Sequence, residues 1–476
     1  MMNEVNENEI LNEELIPHSE REPFTPREIS ELIDSKDYRK ATEDVLLRHS
    51  ADIAELVSAL DKRQGLVLFR LLPKEIAAEV FSYMESDIQQ SIILSFTDSE
   101  LASMLEELYV DDTVDIIEEM PAGVVKRIIK NSTHENRSAI NRILRYPKDS
   151  AGSIMTTEYV RFQKNMTVME ALRHIRSVAI DKETIYTCYV TDENRHLLGI
   201  VSAKDLLISP TETTLMDIME ESVVSVKTTE DKESVARIFE KYGFLALPVV
   251  DEEGRLVGIV TVDDAIDVIK EEVEEDFAVM AAITPTEAPY LKTSAFKTFK
   301  SRIPWLLLLM VSATLSSMIL NKFEAHLAAV FVLFVPMLMD TGGNSGSQAS
   351  VTMIRGLSLG EVRFADVIRV VWKEIRVGVL CAVVLGVVAF LKVMLVDNLI
   401  MRNDAVSLGV ALIVAATLAI TVIMSKLIGA TLPMLASRIG LDPAVMASPF
   451  ITTIVDALAL IVYFFMAKGF FPLIAG

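Results

Sequence analysis

Five apolar stretches in the last third of the chain, at about 303–320, 326–339, 377–395, 408–424 and 446–467, constrain its fold more than any other feature. A helix needs about 20 residues to cross the hydrocarbon of a bilayer. In lipid every backbone N–H and C=O must be paired within the element or its neighbours, so such stretches become helices of a bundle. Five spans is the count that fits. The second is short unless the Gly-rich segment after it also lies within the membrane.

Asp456 sits in the middle of the last stretch, and no Lys or Arg lies between Ala447 and Ala467. A carboxylate at bilayer depth costs ~2.5–3.5 kcal/mol even on insertion scales, and it is kept where it faces a protein interior or a watery path. Thr452 and Thr453 lie one turn earlier on roughly the same face, with Pro449 a further turn back. That face reads as oxygen-lined and suited to a cation or a proton. The second span runs from Pro336 through Asp340 into Gly342, Gly343, Asn344, Ser345, Gly346, Ser347 and Gln348. Gly and Pro are expected to let the backbone leave regular helix here, which membrane depth tolerates only against protein or water. Pore lining and close packing of small residues are both open readings. A phosphate loop is not, because the Gly-Lys-Ser/Thr it requires is missing.

Charge divides the chain in the same place. Up to Arg302 there are 58 acids against 34 bases, and from Ile303 onward 9 against 11. The acidic part disfavours nucleic acid and anionic lipid as partners and favours cations, although a surplus that only confers solubility would look the same. Lys292, Lys297, Lys300 and Arg302 precede the first span, and Arg355, Arg363, Arg369, Lys373 and Arg376 separate the second from the third. The opposite loops carry chiefly Lys322 and Arg402. This bias places the N-terminal side in the cytoplasm and, with an odd number of spans, the C-terminus outside the cell membrane. Residues 1–24 hold seven Glu and one Arg with no apolar core, so residues 1–25 read as an acidic, loosely ordered arm rather than a signal peptide. Cys188 and Cys381 fall in a soluble strand and a membrane span and are not expected to pair.

Residues 26–150 read as a helical domain of short hairpins, with apolar positions at helical spacing in Ile53, Leu56, Val57 and Leu60 and again in Ile76, Val80, Phe81 and Met84. Its acids, among them Asp111 and Asp112, are dispersed and read as solvated faces. An internal repeat follows over 151–266: Ile154-Met-Thr leads to Gly199, Ser202 and Asp205, and Ile218-Met-Glu leads to Gly258, Thr261 and Asp264. Each copy contains a helix, around 168–178 and 232–242, then strand-like runs, so the repeat is two copies of one α/β unit. It resembles a tandem CBS pair, a regulatory module that binds adenosine nucleotides. The resemblance implies that Ser202 and Asp205, with Thr261 and Asp264, hold a ribose of ATP or another adenosine nucleotide. Plain helix capping explains the same residues.

Residues 267–300 form a connecting segment whose first part is dense in acids. Asp267–Glu271, Glu271–Glu275 and Glu272–Asp276 are like-charged i,i+4 pairs, each unfavourable by about 0.2–0.5 kcal/mol in an isolated helix. A divalent cation would remove that repulsion, since Mg²⁺ and Ca²⁺ accept carboxylate oxygens. Asp263, Asp264, Asp267, Glu271, Glu272, Glu275 and Asp276 are therefore candidate regulatory metal ligands; a solvated acidic helix is the alternative.

The order of these parts, the Pro336 to Gln348 segment and the run from Asp442-Pro through Pro449 to Asp456 together resemble the MgtE family of magnesium channels. The resemblance extends over nearly the whole chain after the arm. It implies a multidomain fold: an all-α superhelical N domain, an α/β CBS pair, an acidic connecting (plug) helix and a five-helix transmembrane domain at 301–476. It implies a homodimer in the lipid bilayer around a central pore, with Asp456 recognising hydrated Mg²⁺ and with Thr452, Thr453 and Ser448 adding oxygens. Family members can carry Asn before the Pro of the last span, where this chain has Ser448. The implied activity is Mg²⁺ uptake through a channel that cytosolic Mg²⁺ closes by binding the acidic residues. A proton- or Na⁺-coupled divalent cation transporter is the rival, because Asp456 and Asp340 could carry protons. No enzyme is expected: Walker A, His-Glu-x-x-His and nucleophile-elbow motifs are missing.

Overall fold

The computed structural model describes residues 23–179, 182–286, 290, 293–324 and 329–474, the side chains of 323–324, 448 and 471–474 excepted. Most of the acidic arm, Lys292 and the start of the second apolar stretch lie outside the described residues. The chain forms two compact units, 1–269 and 270–476.

The first unit opens with ten helices, α1 (Pro26–Asp34) to α10 (His134–Ile143), among the described residues. Capping explains their short, regular spacing: Thr25, Asp37, Asp61, Thr97 and Thr133 each accept a first-turn backbone N–H, satisfying donors a helix start leaves open. The apolar stripes bury Ile53, Val57, Leu68, Phe69, Val80 and Phe81 in a single core that continues to Ile140 and Ile143. Most of the stabilisation of such short helices comes from that shared burial rather than from propensity.

The repeat follows in the same unit. Its first copy comprises β1 (Tyr159–Gln163), α11 (Val168–Val178), β2 (Thr184–Thr191), β3 (Leu197–Ser202) and α12 (Ala203–Ile208). The second comprises α13 (Leu215–Ile218), β4 (Val226–Lys227), α14 (Lys232–Tyr242), β5 (Ala246–Val250) and β6 (Leu256–Thr261), and runs into α15 (Val262–Met280). Each copy is a three-stranded sheet in sequence order, its first two strands parallel and its last two antiparallel. The copies exchange their lead-in segments: Thr156 bridges Ile259 of the second copy, and Glu220 bridges Ile200 of the first. Gly199 and Gly258 make room for this exchange. A Cβ on Gly199 would stand 2.9 Å from the Glu220 carbonyl oxygen, and one on Gly258 2.8 Å from that of Thr156.

Among the described residues of the second unit, four helical stretches, 295–322, 364–400, 408–438 and 443–470, are long and apolar enough to cross a membrane. They contain α16 (Ala295–Glu324), α19 (Val367–Lys392) with a π-helical turn at Val393–Ile400, α20 (Leu408–Arg438) and α21 (Ser448–Ile474). Between α16 and α19 lie the short α17 (Ala329–Val332) and α18 (Val335–Ser358), whose Gly and Ser residues lower its apolarity. The expected break at 342–348 is not there: α18 is one continuous helix through all three glycines. Packing is the reason. A Cβ on Gly342 would come within 2.8 Å of Thr421 in α20, one on Gly346 within 2.7 Å of Ile451 in α21, and one on Gly429 of α20 would overlap the Gly346 carbonyl oxygen. The glycines let three backbones approach, as small residues do between membrane helices.

Candidate metal sites

The last helix is set by what precedes it. Asp442 accepts the Ala444 N–H at 2.8 Å and starts the 3₁₀ turn Pro443–Met446, from which α21 departs. Ser350 of α18 donates to the Met446 carbonyl at 2.7 Å and ties that turn to the glycine-bearing helix. In the first turns of α21 both Thr452 and Thr453 donate to the Pro449 carbonyl, at 2.9 and 3.1 Å. With their hydrogens so directed, the hydroxyl oxygens keep acceptor lone pairs for a cation. Asp456 is half-buried one turn on. It faces Gly343 of α18, where an added Cβ would lie 3.7 Å from Asp456 Oδ1 and 3.0 Å from Thr452. Asp340, on the same helix as Gly343, is close enough to Asp456 for the two carboxylates to interact, and it accepts a hydrogen bond from Asn344 at 3.2 Å. The sequence placed Asp456 and its threonines on one face; the structure sets Gly343 and Asp340 of α18 beside them, with Asn344 bonded to Asp340.

A second concentration of oxygens lies wholly in the first unit. Asp111 of α8 (Val110–Glu119), Glu158 and Glu183 bring carboxylate oxygens within 4.8 Å of one another. Asp111 is buried, and its Oδ1 and Glu183 Oε2 have no hydrogen-bond partner. Burial, with Asp264, Asp263 and Glu158 adding repulsion, pushes Asp112 up to about 7. Burial and then Asp111, Asp112, Asp264 and Asp263 push Glu183 up to about 9. Asp111 and Asp264 are raised likewise, chiefly by burial. Every neighbour that raises these groups is another acid. Buried, like-charged and partly unpaired carboxylates have two ways out, protonation or a hard cation with oxygen ligands.

Asp111 and Asp112 are thus not solvated faces, as their dispersal in sequence suggested. The signal was in the strand pairing: β1 and β2 are parallel with Tyr159 opposite Thr184, so Glu158 and Glu183, each one residue before, are neighbours. That requires knowing the register, which no local pattern supplies.

Of the residues expected to sense cations, Asp263 and Asp264 open α15 and join this cluster, and Asp263 and Asp267 also act on the Tyr83 phenol. Glu271 and Glu275 are exposed further along α15, while Glu272 and Asp276 are partly buried. Within the second unit, Ser358 at the end of α18 is 3.4 Å from Asp276, and Val279 and Met280 pack on Ile354, Ala444 and Ala447. The end of the acidic helix therefore meets the turn that launches α21.

The nucleotide motif residues cap helices in both copies. Ser202 donates to Asp205 at 2.5 Å and accepts the Asp205 N–H, and Thr261 donates to Asp264 at 2.6 Å. Asp264 faces the acidic cluster, with Asp111 and Asp263 beside it.

Comparison with known proteins agrees with this layout. The family profile described as "Divalent cation transporter" matches residues 335–466, that of the "MgtE intracellular N domain" matches 48–149, and the CBS domain matches 151–210 and 215–271. The chain is 36% identical to a magnesium transporter MgtE of Thermus thermophilus over 91% of its own length and 95% of that protein. It is 31% identical to one of Bacillus subtilis over 90% and 96%. A crystal structure of the cytosolic domain of the Mg²⁺ channel MgtE in complex with ATP is 40% identical and covers 51% of this chain and 100% of that one, with a TM-score of 0.49.

Proposed function

The chain belongs to the MgtE family, whose curated members are named magnesium transporters, and from that premise we propose that it is a Mg²⁺-selective uptake channel closed by cytosolic Mg²⁺. The observation that carries the reading is Asp456: a half-buried carboxylate on the last membrane helix, flanked by Thr452 and set against Gly343 of α18. Mg²⁺ gives up its water reluctantly. Asp456 would therefore meet a hydrated ion, supplying charge while Thr452, Thr453 and Ser448 supply oxygens to its water shell. A second protomer would bring a second Asp456 to the same axis. The Lys and Arg bias supports a cell-membrane protein with its N-terminal units in the cytoplasm and its C-terminus outside.

Closure rests on the acids. Cations shared among Asp111, Glu158 and Glu183, and along Asp263, Asp264, Asp267, Glu271, Glu272, Glu275 and Asp276, would hold the helical domain, the CBS pair and α15 in the closed arrangement. When cytosolic Mg²⁺ falls, the bare carboxylates repel and α15, acting as a plug, moves. This is a two-state element biased by differential cation affinity. ATP or another adenosine nucleotide would bind the CBS pair through Ser202, Asp205, Thr261 and Asp264, and the acids around Asp264 favour the first copy for a polyphosphate. The proximity of Asp340 to Asp456 favours one alternative, a proton-coupled carrier in which the two acids share a proton.

Mg²⁺ uptake into proteoliposomes tests the central residue. Asp456→Ala is expected to lower uptake by roughly tenfold or more, about 1.4 kcal/mol in ion recognition, while the protein still elutes as wild type does. Uptake at the wild-type rate would remove Asp456 from the path.

A further inference from the structure

The entry of α16 combines features that the ion path does not use. Lys297, Lys300 and Arg302 stand in a stretch without an acid from Thr293 to Lys322. Beside them is a cavity of about 560 Å³ whose lining includes Tyr290, Thr293, Thr298, Phe299, Arg302 and Leu306. A smaller cavity of about 120 Å³ shares Tyr290, Thr293, Thr298 and Arg302 and extends to Ile283 and Ser301. The Thr284 N–H donates to the Ser301 carbonyl at 3.0 Å, which holds the preceding segment against the helix and forms the wall. Among the described residues Arg302 makes no ion pair.

The lining changes character along the helix. As far as Arg302 it has that guanidinium, the Tyr290 hydroxyl and two threonines beside Phe299; beyond Arg302 it has Ile303 and Leu306, which opens on the exposed apolar face of Leu307, Leu308 and Met310. The rise from Thr298 to Leu306 is about 12 Å. A cation at one end and an open apolar slot running toward the hydrocarbon match an amphiphile with a negative head. Guanidinium is also the side chain best suited to a phosphodiester, which it binds in a bidentate fork.

We propose that this cavity binds an anionic glycerophospholipid, with its phosphodiester on Arg302 and Tyr290 and one acyl chain along Ile303 and Leu306. The site is separate from Asp456 and from the acidic sensor, and its failure would leave both untouched.

Native mass spectrometry of the full-length protein in neutral detergent, with dioleoylphosphatidylglycerol as the probe, reads it directly. Phosphatidylglycerol should be retained in preference to dioleoylphosphatidylcholine. Arg302→Gln should lower its occupancy about fivefold or more, and Arg302→Lys should lower it less, since a point charge remains but the fork is lost. Leu306→Trp, which fills the apolar end and leaves the charge, should lower it as well. Arg376→Gln, at another basic position on the same side, should not. Equal retention of the two lipids, equal losses for Arg302→Gln and Arg376→Gln, or wild-type retention by Leu306→Trp would each overturn the proposal. So would displacement by inorganic phosphate at equal concentration, which would mark a site for a free anion. No retention at all would also overturn it.

Discussion

A divalent cation bound at the cluster of Asp111, Glu158 and Glu183 would compete with protons for the same oxygens. Asp112, pushed up to about 7, and Glu183, pushed up to about 9, hold protons in the folded protein that they lose far earlier when unfolded. With raised folded values, their contribution is fully present below about pH 4 and is lost as pH rises through the folded values. A bound cation requires the deprotonated ligands and reverses the balance. A cytoplasmic fragment ending at Met280, in chelator, is therefore expected to melt at progressively lower temperature from about pH 5 to about pH 9. Millimolar Mg²⁺ should flatten that decline, with its largest effect at the alkaline end. Melting curves with the same pH slope in chelator and in Mg²⁺ would show that the cluster takes no cation. The cluster was not legible from the residues alone, because its members come from a helix and two strand ends far apart in sequence. Asp456 was legible, because its cost is local to one apolar run.

Among the elements, α18 best separates what local pattern can and cannot say. A glycine in a helix costs about 1 kcal/mol relative to alanine, so three within five residues argue for a break. The continuous helix is sustained by contacts with α20 and α21, which lie outside any sequence window. The soluble repeat behaved oppositely: helices expected at 168–178 and 232–242 are α11 and α14, since amphipathic period, capping and repetition all agree there. The packing account of the glycines is testable by contrast. Gly429→Ala puts a methyl group into the Gly346 carbonyl and should destabilise the detergent-solubilised protein by about 1–3 kcal/mol. Gly386→Ala, whose methyl would sit 3.6 Å from the Ala415 carbonyl, should be neutral or slightly stabilising. Similar melting shifts for the two variants would contradict the close-approach role of Gly429.

For the whole molecule, the order of parts constrains function more than any single part. A helical domain and a CBS pair share a buried acidic cluster in one unit. The acidic helix α15 then continues into the second unit, where its last turn packs on the segment that starts the Asp456 helix. Chain order and the charge division were legible because composition changes sharply at the membrane boundary. The packing of Val279 and Met280 on Ile354, Ala444 and Ala447 was not, since none of these residues is unusual in its own neighbourhood. If cation binding to this assembly sets the state of the path, removing charge from α15 should uncouple the two. The most direct measurement is current through the purified protein in a planar bilayer with no proton gradient while cytosolic Mg²⁺ is stepped. A self-inhibited channel gives divalent currents that fall as cytosolic Mg²⁺ rises, and the combined Glu271→Gln, Glu272→Gln and Glu275→Gln variant conducts with that inhibition weakened. Electrical silence together with proton-dependent Mg²⁺ flux in liposomes, or inhibition unchanged in the variant, would contradict it.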